Sequence, residues 1–300
     1  MTLPGRLLTA MVTPFAADGA VDLATAARLA RHLVAQGSDG LVVNGTTGES
    51  PTLSESEREA LLDTIIEAVG AERVVMGTGS NDTDAAVRMS RQAASRGVAG
   101  LLVIAPYYNK PDTRGLEAHF RAVSAASDRP IILYNHPPRT GVAIPAALVG
   151  RLAADCPTIV ALKDSSASLD VATEILLATP PDFLLYSGND SLTLPIMAVG
   201  GHGVISVASH VIGPRLRQLV DAAASGDFGT ARRLHHELYD LMQGLFLAPS
   251  PAPVKAALAW TGMPVGGVRL PLVDLDGRDR QRLEGILRDA GLVEALGVRA

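Results

Sequence analysis

Lys163 closes a run of apolar residues in "TIVALKDSS", residues 158–166, and an amine at the end of a strand-like segment suits covalent chemistry with a carbonyl. A free lysine, with a pKa of about 10.4, is almost wholly protonated near neutrality. Apolar surroundings disfavour the charge, and the neutral amine then attacks a ketone to form an imine. The other reading of the same residue is a structural ion pair with Asp164 or another carboxylate near the strand end.

Tyr134 lies 29 residues before Lys163, one strand-helix repeat, which places the two at the ends of neighbouring strands. A phenol there relays protons to and from a carbinolamine, or is a core tyrosine with a satisfied hydroxyl. Arg139, in "YNHPPRTG", is the only guanidinium in the strand-end loops from Tyr134 to Ser206. Its planar fork suits a substrate carboxylate; a solvated loop arginine is the alternative. In "NGTTGES", residues 44–50, a glycine turn with the hydroxyls of Thr46 and Thr47 can face an anion. It carries neither the GxxxxGK[ST] lysine nor GxGxxG spacing, so a nucleotide fingerprint is unsupported. Ser54 reads as the N-cap of the next helix. The seven histidines show no HxH or HExxH spacing, and no metal is expected. Tyr107 and Tyr108 in "PYYNKP" read as packing or an oligomer contact ahead of catalysis.

The elements that must position these groups follow from hydrophobic period. Residues 22–36 place Leu23, Ala26, Ala27, Ala30, Leu33 and Val34 on one helical face, followed by Gly37 and the short apolar run "DGLVVNG". The unit repeats. Apolar runs end near Thr13, Asn44, Gly77, Ala105, Asn135, Lys163, Ser187 and Ser206, which predicts eight strands alternating with helices, an α/β (βα)₈ TIM barrel. Catalytic groups of such a barrel sit where the strands end, because the loops converge there over a closed core. After the eighth strand, residues 226–300 read as a helical region of about three helices packed on a barrel spanning residues 1–225.

Composition narrows the partners. A formal charge of −5 and a pI near 5.8 provide no basic footprint for nucleic acid or an anionic membrane. Cys156 is the only cysteine, which excludes a disulfide or a cysteine-only metal site within one chain and fits a reducing cytoplasm. "MTLPGRLLTAMVTPF" is broken by Pro4, Gly5 and Pro14, and reads as neither a secretory segment nor a span.

Taken in order, "TAMVTPF", "NGTTGES", "APYYNKP", "YNHPPRTG", "ALKDSS", "YSGNDSLTLP", "GGHGVISVASH" and "PAPVKAAL" resemble the dihydrodipicolinate synthase/N-acetylneuraminate lyase family of Schiff-base aldolases over nearly the whole chain. "YNHPPRTG" and "RLPLVDLD" favour the members that join pyruvate to L-aspartate 4-semialdehyde. The resemblance implies an imine between Lys163 and pyruvate, with no cofactor beyond that covalent imine, and a proton relay of Tyr134, Thr46 and Tyr108, the last reaching in from a neighbouring subunit. It implies that Thr46 and Thr47 hold the pyruvate carboxylate and Arg139 that of the semialdehyde. Gly188 and Ile205 would shape the pocket floor, and the assembly would be a homotetramer, a dimer of dimers. Arg139 argues against the runner-up, a lyase for a sialic acid, a 2-keto-3-deoxy sugar acid or 4-hydroxy-2-oxoglutarate, since a polyol pocket is better uncharged. A non-catalytic 2-oxo-acid binder would show a damaged relay, whereas Thr46, Tyr108 and Tyr134 are all present together with Lys163.

Two positions depart from the family pattern. Asn189 stands where synthases often carry Asp. At the site where some members bind feedback lysine, Asn81 and Tyr107 match, but Glu55, Arg58 and Ala85 replace two histidines and a glutamate. Ala85 offers no carboxylate to an ammonium and Arg58 repels one, so inhibition by L-lysine is expected to be weak or absent.

Overall fold

The computed structural model describes residues 3–293; positions 294–300 of the expected helical region lie outside the described residues. Eight parallel strands follow one another around a barrel: β1 (Leu7–Ala10), β2 (Gly40–Val43), β3 (Val74–Gly77), β4 (Gly100–Ile104), β5 (Ile131–Asn135), β6 (Ile159–Asp164), β7 (Leu184–Ser187) and β8 (Gly203–Ser206). β8 pairs with β1 and closes it. This is the expected (βα)₈ fold, and every strand ends within three residues of the position read from the apolar runs. At the closure a Cβ on Gly203 would lie 2.0 Å from the Arg6 carbonyl oxygen, so only glycine permits that approach.

Strand alternation sorts the side chains into two cores. Leu8, Val42, Val75, Leu102, Ile132, Tyr134, Ala161, Tyr186 and Ile205 fill the barrel interior. Their neighbours Leu41, Leu101, Leu133, Leu162 and Leu185 face outward into the larger cluster shared with the helices. Burial on both faces is why these strands read as continuous apolar runs. The Tyr186 hydroxyl donates to the Gly5 carbonyl at 2.8 Å, so its ring plugs the N-terminal end of the barrel.

The helices carry the local signals that predict them. Ser54 caps the helix Glu55–Val69 in a full capping box with Glu57, satisfying two donors that a helix start leaves free. After β8 and the kinked helix Ser209–Ala224 come Phe228–Gly244, Ala252–Trp260 and Gly277–Asp289. Leu234, Leu238, Leu241 and Met242 join the outer core cluster of the barrel. Two short helices were not expected: Pro137–Thr140 after β5, and Thr193–Ala198, which fills the shortest step, from β7 to β8. No helix among the described residues is long and apolar enough to cross a membrane.

Candidate active site

The inward phase of β6 places Ala161 in the barrel interior, and the period of two then turns Lys163 inward as well. Lys163 is only 5% exposed. Its register partner across β5 is Tyr134, also buried, and the lysine Nζ lies 4.4 Å from the centroid of the tyrosine ring. Among the described residues Lys163 has neither an ion pair within 4.0 Å nor a side-chain hydrogen bond. Asp164, one residue on, points to the opposite face. There it accepts from Asn135 Nδ2 at 2.8 Å and from Ser166 Oγ at 2.6 Å, and burial pushes its carboxyl up from the ordinary value. The pairing with Asp164 is thus excluded by the pleat.

The end of β7 lies against this lysine. A Cβ on Gly188 would meet Ser165 Oγ at 2.0 Å, the Asp164 carbonyl oxygen at 2.9 Å and Lys163 Cε at 3.1 Å. Gly188 also donates its N–H to the Asp164 carbonyl at 2.6 Å, so it cannot retreat. Ile205 is fully buried in the interior cluster with Tyr134. We expect Gly188→Val to displace the lysine, lowering kcat/KM by about tenfold or more and stability by about 1–3 kcal/mol. Denaturant unfolding and steady-state kinetics of the variant check both, and wild-type kinetics would remove Gly188 from the site.

At the mouth of β2, the segment from Asn44 to Glu49 begins and ends in left-handed backbone, with φ of 58° and 55° at those residues. Asn44 Nδ2 donates to the Gly77 carbonyl at 2.7 Å, and Thr13 Oγ1 to the Gly48 carbonyl at 2.6 Å. Thr46 and Thr47 lie between these anchors, at the same end of the barrel as Lys163. The side chain of neither takes part in a hydrogen bond within the chain among the described residues, so both hydroxyls remain available to a ligand. Arg139 is exposed, carried on Pro137–Thr140 beyond β5. Tyr108, on the loop after β4, is 87% exposed with φ 70°. Packing inside this chain therefore does not account for it, whereas Tyr107 is half-buried.

Three residues near the site had no role in the sequence reading. His136 sits edge-on to Tyr134, ring centroids 5.7 Å apart. Burial, helped by Arg139 and Lys163, holds its imidazole down at about 4, so it is neutral at pH 7. Asp190 is buried beneath the β7 and β8 ends, accepting from Ser206 Oγ and from the N–H groups of Val207 and Ala208 at 3.0 Å each. Glu49, in the β2 loop, pairs with Lys255, itself buried. An acidic residue three positions after a strand end was the available signal for Asp190. Nothing local links Glu49 to a lysine 206 residues away. No group of three or more His, Cys, Asp or Glu side chains among the described residues is placed to hold a metal.

A closed barrel whose strand-end lysine is buried without an ionic partner among the described residues, beside a phenol on the neighbouring strand, points to a class: the (βα)₈-barrel lyases. The chain belongs to the Dihydrodipicolinate synthetase family, whose sequence model matches residues 3–290. It is 51% identical over 290 residues to the 4-hydroxy-tetrahydrodipicolinate synthase of Moorella thermoacetica, covering 96% of this chain and 99% of that one. Against the enzyme of the same name from Symbiobacterium thermophilum it is 52% identical over the same length and coverage. Among solved structures it is similar to dihydrodipicolinate synthase from Cyanidioschyzon merolae with lysine bound. The TM-score is 0.94 and the identity 45%, over 97% of this chain and 99% of that one.

Proposed function

We propose that this chain condenses pyruvate with L-aspartate 4-semialdehyde to 4-hydroxy-tetrahydrodipicolinate through an imine on Lys163. The observation that carries the reading is the buried, ionically unpaired Lys163 against Tyr134, in a chain half identical to enzymes of that activity. Lys163 Nζ adds to the pyruvate C2 carbonyl, and loss of water leaves an iminium. The iminium draws electrons from the methyl group, which gives up a proton to become the enamine carbon. That carbon attacks the aldehyde of the semialdehyde, whose own amine then displaces Lys163 as the ring closes. No cofactor is needed, since the iminium is the electron sink.

Tyr134 moves protons at the carbinolamine, in a relay with Thr46 and with Tyr108 of a neighbouring subunit. The 87% exposure of Tyr108 fits a side chain offered to a second copy, and the proposed assembly is a homotetramer, a dimer of dimers, whose dimer alone completes the relay. Thr46 and Thr47 receive the pyruvate carboxylate, with Gly188 and Ile205 below. Arg139 receives the carboxylate of the semialdehyde. The proposed setting is the cytoplasm, consistent with a chain that carries a single cysteine.

The test is pyruvate consumption by the purified protein with the semialdehyde, beside cleavage assays with sialic and keto-deoxy acids. We expect Arg139→Ala to raise the KM for the semialdehyde by about tenfold to a hundredfold, the loss of a charge-assisted carboxylate contact, while the pyruvate KM stays within about twofold. Sugar-acid cleavage without semialdehyde turnover would overturn the acceptor assignment.

A cavity of about 320 Å³ is lined by Ser50, Glu55, Arg58, Ala85 and Tyr107, among others. Arg58 donates there to the Leu53 carbonyl at 2.7 Å and makes no ion pair within 4.0 Å among the described residues. We therefore expect ~1 mM L-lysine, the concentration matching a very weak site, to leave the rate unchanged within about twofold. A micromolar inhibition constant would refute this.

A further inference from the structure

Glu49 is built at a double disadvantage. It adopts left-handed backbone, φ 55°, which L side chains disfavour and Gly tolerates. Its carboxylate is buried, 1% exposed, against a lysine that is 2% exposed, with Lys255 Nζ 2.6 Å from Oε1. The other oxygen accepts the Arg269 N–H at 2.9 Å. Lys255 donates a second bond to the Gly267 carbonyl at 2.7 Å and lies 4.2 Å from the Phe15 ring centroid. Burial draws its ammonium down from the ordinary value, against Glu49 and Asp274. Buried pairs of this kind add little to stability, and well-packed apolar residues often replace them without loss. A strained backbone joined to a desolvated charge at one residue points to a demand of the site.

What the pair touches identifies that demand. Glu49 N–H bonds to the Thr46 carbonyl at 3.1 Å and Gly48 N–H to the Gly45 carbonyl at 3.1 Å, so the turn that carries Thr46 and Thr47 is tied directly to the Glu49 backbone. The carboxylate of Glu49 is then held from the helix Ala252–Trp260 and from the segment through Gly267 and Arg269. Arg269 extends the attachment to Glu57, to the Thr52 carbonyl at 2.7 Å and to the Gly19 carbonyl. The region after the barrel thereby reaches the rim of the substrate site through the Lys255–Glu49 pair, buttressed by the pair of Arg269 with Glu57.

We propose that the Glu49 and Lys255 pair is a positioning clamp, through which the helical tail presets the Thr46 and Thr47 turn to receive the pyruvate carboxylate. The inference rests on that turn being the carboxylate site. A preset turn binds without first being ordered, whereas a turn that is competent only part of the time weakens apparent affinity by that fraction.

The test is the double variant Glu49→Met with Lys255→Met, which removes both charges and keeps side-chain bulk, compared with Thr47→Val. The clamp predicts a folded variant with a lowered melting temperature, since the Arg269 N–H and the Gly267 carbonyl lose their partners, a pyruvate KM raised about tenfold through a smaller competent fraction, and kcat at saturating pyruvate within about threefold. A folded double variant with wild-type pyruvate KM overturns the clamp. If Thr47→Val also leaves the pyruvate KM unchanged, the carboxylate site itself has been misplaced; if it raises KM while the double variant does not, only the clamp fails. Amide hydrogen exchange of residues 45–50 in the wild-type enzyme decides the case even where the double variant does not fold. A preset turn shows protection that changes less than about threefold on adding pyruvate. A turn that exchanges freely until pyruvate is added has not been preset, and the clamp is refuted.

Discussion

Lys163→Ala is expected to abolish the adduct that borohydride traps with pyruvate and to lower kcat by roughly 10⁴-fold or more, the scale on which covalent nucleophiles fail when removed. The expectation follows from the placement of the amine. Lys163 is buried at a barrel mouth, with Tyr134 as its neighbour and no carboxylate within 4.0 Å among the described residues. Lys255 is the contrasting buried lysine: it is neutralised by Glu49 at 2.6 Å and committed to structure. Mass spectrometry of the reduced protein should put a pyruvate-derived mass on the peptide holding Lys163. An adduct on another lysine, or one that survives in the variant, would remove Lys163 from the chemistry, and no adduct at all would sink the aldolase mechanism. Because Lys163 carries no ion pair among the described residues, the variant should fold, and loss of turnover then reports chemistry.

Tyr134→Phe is expected to lower kcat by about 10²- to 10⁴-fold, the range of a lost proton-transfer group, while the pyruvate KM moves within about threefold. The hydroxyl alone is removed; the ring, packed in the barrel interior with Ile132, Ala161 and Ile205 and edge-on to His136, is retained. Imine formation should still occur, but slowly, so single-turnover trapping separates this variant from Lys163→Ala. A kcat within about threefold of the wild type would make Tyr134 a core residue, the second reading its sequence position allowed. His136 does not replace it as an acid, since it is neutral above a pKa of about 4.

The barrel was legible because strands buried on both faces are apolar throughout and their spacing repeats. The start of the helix Glu55–Val69 was legible to the residue, since the N-cap Ser54 acts on its own first turn, where it accepts from the Glu57 N–H. The short helix Pro137–Thr140 was not, because four residues carry no period, and Pro137 and Pro138 read equally as a turn. The strand ends nominated Lys163, Tyr134, Thr46, Thr47 and Arg139 for the same reason that the barrel was readable: loops converge where strands stop.

By itself, then, the sequence determined which residues end strands and which chemistry their side chains possess. Whether Lys163 is paired was decided only in three dimensions, where the pleat sends Asp164 to Asn135 and Ser166 and leaves the amine facing Tyr134 and Gly188. The partnership of Glu49 with Lys255, 206 residues apart, and the burial of Asp190 under Val207 and Ala208 were likewise decided there. Periodicity and capping act between near neighbours in the chain, whereas an ion pair or a buried carboxylate depends on which distant segments packing brings into contact.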